Sequence, residues 1–349
     1  MNYDNAIMTS LSASGRTGQV TLVDIARRAG VSTITASRAL RASSPVARAT
    51  RERVLAAAAE LGYAPNLLAR GLVQNRTSTV GVVILELANP FFAPMVSAIE
   101  TVAAKRGFLV VIGESGHDEE GERRYVERFQ QLRIGGIIIT PASTRVDHLV
   151  AAHAGGTPIV VMARRWEGGD YVTADNLTGG RLVARHFLSR GHRQIGLVRP
   201  EDPENNAIQD RVLGFREHLA SAGVHLPDQW DFRTQRTLIE DGMEAADRIL
   251  ALSDRPSALF VTTDRQAMGV IHRLLEGGLP IPGDIAVVGY DDIPYAACTQ
   301  VPLTTVAIPM RRMGQLSAEI LFDRLDGVRP SEPRQELVPP ELVIRASSP

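Results

Sequence analysis

The residues best suited to recognition chemistry near the N-terminus lie in Ser32–Arg38, a run of small polar side chains that ends in an arginine. Thr33 can donate or accept a hydrogen bond, Ile34 can contact the methyl group of a thymine, and Arg38 can bind a guanine or a phosphate. Three further hydroxyls suit phosphate contacts: Ser32, Thr35 and Ser37. The segment therefore indicates a surface that reads nucleic acid, and the alternative is a small helical hairpin with a polar surface.

The sequence around this segment predicts two short helices. Thr21-Leu-Val-Asp24 is a capping box, in which a hydroxyl and a carboxylate satisfy free amides at a helix start. Apolar residues follow at helical spacing: Leu22, Ile25, Ala26 and Ala29. Gly30-Val31 breaks this helix, and Ser32 caps a second one that continues to about Leu40.

A third helix is expected from about Arg48 to Leu61, with Gly62 and Pro65 ending it. Its start is less well defined, because Ala47 has no side chain that can cap a helix. Three short helices with a tight turn between the first two predict an all-α helix-turn-helix domain. In that arrangement Thr21 joins the predicted DNA contacts.

The charge of the chain is divided unevenly. Residues 1–76 contain ten arginines and four acidic residues, a net charge of +6, whereas the rest of the chain carries −7. A basic head on an acidic body is typical of a nucleic-acid-binding module attached to another domain. The alternative is an ordinary solvated charged surface.

From Thr79 onward, patterns of buried strands alternate with patterns of amphipathic helices. Apolar runs predict strands in seven places: 80–85, 108–112, 136–140, 158–162, 195–198, 258–261 and 285–289. Helices are expected between them: 91–106, 119–133, 177–190, 210–222, 240–252 and 265–277. The fold class is therefore α/β, with two similar doubly wound parallel-sheet lobes. Ligands of such sheets bind beyond the carboxyl ends of the strands, so two lobes would share one cleft.

Signatures of catalysis and of cofactor binding are missing from the sequence. No G-x-G-x-x-G or phosphate loop follows a strand, and no serine nucleophile elbow or metal-spaced histidine pair occurs. The single cysteine, Cys298, excludes an internal disulfide and a cysteine-clustered metal site. We therefore expect no catalytic residue, no cofactor and no metal, and an enzyme is kept only as an alternative.

The expected location is the cytoplasm, without membrane contact. The sequence has no run of 18 apolar residues, and residues 1–19 lack the basic start and apolar stretch of a signal peptide. The runner-up interpretation, a solute-binding protein for sugar uptake, would require secretion. The missing signal peptide and the basic helical segment both argue against it.

Several motifs occur together in one order along the chain, beginning with Val20–Arg38. The others are: Ala59–Asn66, Asn89–Phe92, Gly135–Ile139, Asp175-Asn176, Gly191–Arg193, Gly289–Asp292 and Pro302–Thr305. This combination resembles the lactose-repressor-type (LacI/GalR) family of transcriptional regulators and covers all but the N-terminal tail. The resemblance implies a repressor with a core like that of periplasmic sugar-binding proteins. It also implies a homodimer, a double-stranded palindromic DNA operator and allosteric control by a small-molecule effector.

The resemblance assigns residues 65–77 to a hinge helix that enters the minor groove. Four of its residues are implied to contact DNA: Asn66, Ala69, Arg70 and Leu72. Leu72 would act as an apolar wedge that partly unstacks a base step and bends the duplex. Gly71 departs from the family pattern, because glycine costs about 1 kcal/mol in a helix.

The same resemblance implies a set of effector-binding residues: Asn89, Phe92, Arg164, Trp166, Arg211, Asp264 and Asp291. Arginine offers a planar fork of donors, and carboxylates accept from hydroxyls. Many relatives have an aspartate near Arg164, and its absence puts recognition of a plain hexose in doubt. Several arginines in one cleft suit a sugar acid or a sugar phosphate. As alternatives, Phe92 belongs to the core and Asp291 caps a turn.

The predicted domain plan follows from these segments. It consists of a disordered tail over 1–19, the helix-turn-helix domain over 20–64, the hinge over 65–77 and an effector-binding and dimerisation core over 78–349. The N-terminal lobe takes about 78–176 and 310–337, and the C-terminal lobe takes about 177–306 and 338–349. No leucine heptads follow Ile344, so a dimer is expected rather than a tetramer.

Overall fold

The computed structural model describes residues 20–40, 46–63, 77–328 and 332–349. The chain divides into two units, Met1–Arg70 and Gly71–Pro349. The predicted tail over 1–19 lies outside the described residues, and so do the four predicted hinge contacts: Asn66, Ala69, Arg70 and Leu72.

The first unit has three helices over its described residues: α1 (Leu22–Ala29), α2 (Thr33–Ala39) and α3 (Arg48–Glu60). The predicted capping box starts α1, since the Thr21 amide donates to the Asp24 carboxylate at 3.0 Å. Gly30 ends α1 with a φ of +67°, which glycine adopts without steric cost. Ala47 makes no side-chain cap for α3, as the sequence indicates.

These helices pack around a small apolar core. Ile25 of α1, Ala36 of α2 and Val54 of α3 are its fully buried members. Most of the other members of this core are alanines. Three side chains of α2 are exposed on its other face: Thr33, Ile34 and Arg38.

The second unit contains two six-stranded sheets, with helices between the strands. The elements that build the first sheet and its helices are: β1 (Thr79–Ile84), α4 (Ala93–Lys105), β2 (Leu109–Glu114), α5 (Glu119–Gln131), β3 (Ile137–Ile139), α6 (Asp147–Ala154), β4 (Ile159–Met162), β5 (Asp170–Ala174), α11 (Met310–Leu325) and β11 (Gln335–Val338). Their order across the sheet is β11-β5-β4-β3-β1-β2, and every pairing is parallel.

The second sheet is built from the middle of the chain and its last strand: α7 (Asn176–Ser189), β6 (Ile195–Pro200), α8 (Asn206–Ser221), β7 (Asp231–Thr234), α9 (Ile239–Leu250), β8 (Ala258–Val261), α10 (Asp264–Glu276), β9 (Ala286–Asp291), β10 (Thr304–Ala307) and β12 (Glu341–Val343). The order is β12-β10-β9-β8-β6-β7. All pairings are parallel except the edge strand β12, which runs antiparallel to β10. The predicted α/β class with two parallel-sheet lobes is therefore confirmed, and the edge strand β12 departs from the parallel pattern.

The chain passes between the two sheets three times. It leaves the first sheet after β5 to begin α7, returns after β10 to begin α11, and crosses again between β11 and β12. Helix α11 packs on β3, β4 and β5, so it belongs with the first sheet although it follows the second in sequence.

The predicted strands correspond to β1, β2, β3, β4, β6, β8 and β9, within a few residues at their ends. The sequence reading missed β5, β7, β10, β11 and β12, and also helices α6 and α11. The missed strands have five residues or fewer and carry polar side chains, such as Asp170 and Thr173 in β5. These segments are extended because they pair with neighbouring strands, and their own composition does not predict a strand. In the part of the chain described here, we find no helix with the length and apolar character needed to cross a membrane.

Candidate functional site

Helix α2 presents one exposed face with mixed chemistry. Ser32 caps it by accepting from the Thr35 amide at 3.1 Å, which fixes the first turn. Ile34 is 65% exposed, the highest value among the large apolar side chains of the described residues. Thr33, Ile34, Ser37 and Arg38 line one shallow surface depression together with Leu22. The structure therefore gathers most of the predicted base-reading residues on one face.

The charges of this unit leave Arg38 available. Three other arginines of this unit pair with acids, among them Arg28 with Glu60 at 2.7 Å and Arg48 with Glu52 at 2.9 Å. Within the described part of the chain, Arg38 forms no ion pair. Thr21 uses its hydroxyl in the capping box, where it donates to Asp24 at 2.6 Å. A free guanidinium beside Thr33 and Ile34 can donate to a base edge or a phosphate.

A cleft of about 900 Å³ lies in the second unit, between the carboxyl ends of strands from both sheets. It receives Glu86 after β1, Ser143 after β3, Asp202 after β6 and Thr263 after β8. Five of the seven predicted effector residues line it: Asn89, Phe92, Arg164, Arg211 and Asp291. The carboxyl-end rule for open α/β sheets therefore locates the cavity.

Arg211 is the most heavily engaged side chain of the cleft. Its Nε donates to Asn176 Oδ1 at 3.0 Å and its Nη1 to the Thr262 carbonyl at 2.6 Å, while Nη2 lies 3.0 Å from Asp291 Oδ1. The guanidinium also stacks over the Tyr290 ring at 3.8 Å. These contacts hold Arg211 in one orientation, with 5% of the residue exposed.

Close packing of two helices sets the position of Arg211. Gly180 in α7 faces the backbone of α8, and a Cβ there would lie 2.0 Å from the Arg211 carbonyl. Gly214 in α8 meets the Leu177 carbonyl at the same distance. Only glycine permits this approach, which brings Arg211 up to the strand end at Asp291.

Asp291 is a buried carboxylate at the end of β9. Burial raises its pKa to about 6, against the opposing effect of Arg211. Its backbone has a φ of +117°, and Asp292 follows at +55°. Residues other than glycine rarely adopt such φ values, and backbone strain of this kind is concentrated at functional sites.

Arg164 occupies the corresponding position after β4. The preceding Ala163 has a φ of +62°, and the Arg164 Nη1 donates to the Ala163 carbonyl at 2.8 Å. Burial lowers the pKa of Arg164 to about 10, and the nearby charge of Arg211 adds to this. Arg164 therefore remains charged at neutral pH.

Two predicted effector residues do not line the cleft. Trp166 is 4% exposed and packs edge-on to His153 at 5.7 Å, against the apolar cluster of the first sheet. Asp264 is fully buried, accepting from the Ile293 amide at 2.9 Å and from Thr305 Oγ1 at 2.6 Å. Burial and the neighbouring Asp291 raise its pKa. In this structure Trp166 packs in the core and Asp264 anchors the loop after β9, so neither side chain lines the cavity.

Sequence reading missed the polar contacts that join the two lobes across the cleft. Arg265 in α10 donates to Glu86 after β1, at 2.6 and 3.3 Å. The Arg165 backbone after β4 exchanges two hydrogen bonds with the Asn206 side chain in α8, at 3.2 and 3.1 Å. The sequence indicated these contacts only through position, because Glu86 and Arg165 both follow predicted strands and therefore lie near the cleft.

A buried pair of ionisable side chains lies behind the cleft wall. His148 of α6 and Glu122 of α5 are 3.3 Å apart, and both side chains are almost inaccessible. Glu122 also accepts from the Ala142 amide, next to cleft residue Ser143. The pair joins α5 to α6 and to the loop that forms part of the cavity wall.

Comparison with known proteins agrees with this architecture. Residues 21–66 match the family described as bacterial regulatory proteins, lacI family, and residues 184–348 match the periplasmic binding protein-like domain. The HTH-type transcriptional repressor PurR of Photobacterium profundum is 34% identical over 94% of this chain and 98% of that protein. PurR of Erwinia tasmaniensis is 35% identical over 94% and 96%.

Solved structures extend the similarity to three dimensions. The Lac repressor dimer bound to operator and the anti-inducer ONPF has a TM-score of 0.85 at 29% identity, covering 95% of this chain and 99% of that one. The transcriptional regulator CelR in complex with cellobiose has a TM-score of 0.71 at 30% identity, covering 94% and 100%. With a helix-turn-helix, two α/β lobes around one cleft and relatives of this identity and coverage, the chain belongs to the lacI family of bacterial transcriptional regulators.

Proposed function

We propose that this chain is a transcriptional repressor that binds a near-palindromic operator as a homodimer. Binding of a small sugar-like molecule in the cleft lowers or raises its affinity for the operator. Its relatives are repressors and not enzymes. The observation that best supports DNA binding is the exposed face of α2, where Ile34 is exposed between Thr33 and Arg38. DNA is reached in the cytoplasm, where we place the protein.

The recognition mechanism follows from the chemistry of α2. In helix-turn-helix proteins the second helix lies in the major groove, with its N-terminal residues at the base edges. Thr33 and Ile34 occupy the first turn and would select bases by a hydrogen bond and a thymine-methyl contact. Arg38 lies one turn further on and would donate to a guanine or a phosphate. Residues 65–77 would supply the minor-groove hinge, a proposal that rests on the family resemblance.

The cleft provides the second binding site. Its volume suits a mono- or disaccharide, and a similar regulator was solved with cellobiose. Arg211 and Asp291 are paired charged groups that line it, where they can bind adjacent hydroxyls. Since the cleft lies between lobes, a ligand there changes the balance between lobe orientations. By thermodynamic linkage, the effector then changes the affinity for the operator by the same factor as operator DNA changes the affinity for the effector.

The test of the operator proposal is genomic footprinting followed by titration of the recovered site. Arg38→Ala should weaken specific binding by about 1–3 kcal/mol, the range for one good base contact. Arg193→Ala is the matched control, because it removes an exposed arginine from the second unit. Footprints without two-fold symmetry, or equal losses in both variants, would contradict the proposal.

A further inference from the structure

The arginines that line the cleft differ in whether an acidic partner neutralises them. Three of them form ion pairs: Arg123 with Glu120 at 3.5 Å, Arg145 with Glu119 at 3.4 Å, and Arg211 with Asp291 at 3.0 Å. Arg236 forms no ion pair among the described residues, but it is exposed, so water solvates it. Arg164 is half-buried and also lacks an ion pair within the described ranges.

The hydrogen bonds of Arg164 leave most of its donors unused. Nη1 donates to the neighbouring Ala163 carbonyl, and Nε is buried without an acceptor in the described structure. A guanidinium has five N–H donors in a fixed fork that matches a carboxylate or phosphate. A cation withdrawn from water without a partner costs free energy that an arriving anion would recover.

The acidic groups near Arg164 are engaged elsewhere. Asp291 faces Arg211, and Asp202 Oδ1 accepts from the Glu204 amide at 3.1 Å. Glu122 accepts from the Ala142 amide and faces His148. These carboxylates attract Arg164 through space but do not pair with it. The cleft therefore contains one fixed cation whose counter-ion is not supplied by the described protein.

We propose that Arg164 is the anion-binding residue of the cleft, and that the effector carries a carboxylate or phosphate group beside hydroxyls bound by Arg211 and Asp291. This inference rests on the proposed function of the cleft as an effector site. The strained backbone at Ala163 is part of the same arrangement, because it turns the chain sharply at the strand end where Arg164 enters the cavity.

The experiment compares ligands that share one carbon skeleton. The full-length protein is titrated with D-glucose, D-gluconate and D-glucose 6-phosphate at constant ionic strength, and then with the matching galactose series, following the thermal midpoint. At least one anionic compound should raise the Tm of the wild type more than its neutral counterpart does. The carboxylate and phosphate arms then identify which anion is recognised.

Two variants assign this preference to Arg164. Arg164→Met should weaken binding of the anion by about 10- to 100-fold, the range expected for a lost charged hydrogen bond. Arg164→Lys should retain part of it. Arg193→Met removes the same charge outside the cavity and should leave affinity unchanged. Without ligand, Arg164→Met should melt at the wild-type temperature or higher, because among the described residues the arginine has no acidic partner to lose.

Three results would overturn the inference. The first is a neutral sugar that binds wild type and Arg164→Met equally, which would leave the cleft an effector site. The second is a wild type that binds operator but whose Tm responds to no anionic compound more than to its neutral counterpart. The third is a ligand-free Arg164→Met protein that melts early, which would make Arg164 a structural residue. Failure of the wild type to bind any operator would instead contradict the proposed function.

Discussion

Replacing Arg211 by methionine should destabilise the core in a way that depends on pH. The substitution keeps most of the side-chain volume but removes the cation that faces Asp291 at 3.0 Å. Breaking a buried ion pair by removing one partner costs about 3–5 kcal/mol, because the remaining charge is left without compensation. We therefore expect the free energy of unfolding at pH 8 to fall by about that amount.

The pH dependence follows from the pKa of Asp291. Burial raises it from 3.8 to about 6 in the folded wild type, so the folded state binds the proton more tightly than the unfolded state. A shift of about two units corresponds to about 3 kcal/mol of stability that is present below pH 4 and lost as the pH rises through 6. Without Arg211 the folded pKa rises further, and the loss continues above pH 6.

The assay is urea unfolding of the DNA-free protein at pH 5.5, 7 and 8. The deficit of Arg211→Met relative to wild type should shrink towards pH 5.5, where Asp291 becomes neutral and no longer needs a cation. Adding Asp291→Asn to Arg211→Met should recover much of the loss at pH 8 and remove this pH dependence. A deficit of equal size at pH 5.5 and pH 8 would refute the reasoning.

Three other variants test separate parts of the molecule. Gly179→Ala would place a Cβ 1.9 Å from Tyr290 Oη, so we expect the free energy of unfolding in urea to fall by about 1–3 kcal/mol or more. Glu86→Gln and Arg265→Met, alone and combined, should show a coupling energy of roughly 0.5–3 kcal/mol in a double-mutant cycle on effector affinity, since their ion pair joins the lobes; additive effects would exclude such a link. Leu72→Ala should weaken operator binding and DNA bending by a few kcal/mol at most while leaving the Tm of the core unchanged; early melting would instead make Leu72 an ordinary packed residue.

The sequence was most informative where local chemistry decides the structure. Thr21 and Asp24 form the expected capping box, and Gly30 has the left-handed conformation that its place at a helix end predicts. Strands made of continuous apolar residues, such as β3, are fully buried and could be identified from their composition alone. These features depend on a few neighbouring residues, so they can be read without the tertiary fold.

Features that depend on distant contacts could not be read in this way. Trp166 and Arg164 are two residues apart, yet the tryptophan enters the apolar cluster while the arginine lines the cleft. The direction of each side chain is set by the backbone turn at Ala163, which no local pattern reveals. Asp264 looked like a ligand contact, but its carboxylate is occupied by Ile293 and Thr305 from later parts of the chain.

The triple passage of the chain between the two sheets restricts how this protein can be cut or rearranged. Neither lobe is one continuous stretch, since the first takes α11 and β11 from the C-terminal part of the chain and the second takes β12 from beyond them. No single cut in the chain therefore separates the two lobes, and neither can be cloned alone without joining separated segments. Three connecting segments also act as tethers, so the lobes can tilt or twist against each other but cannot move far apart.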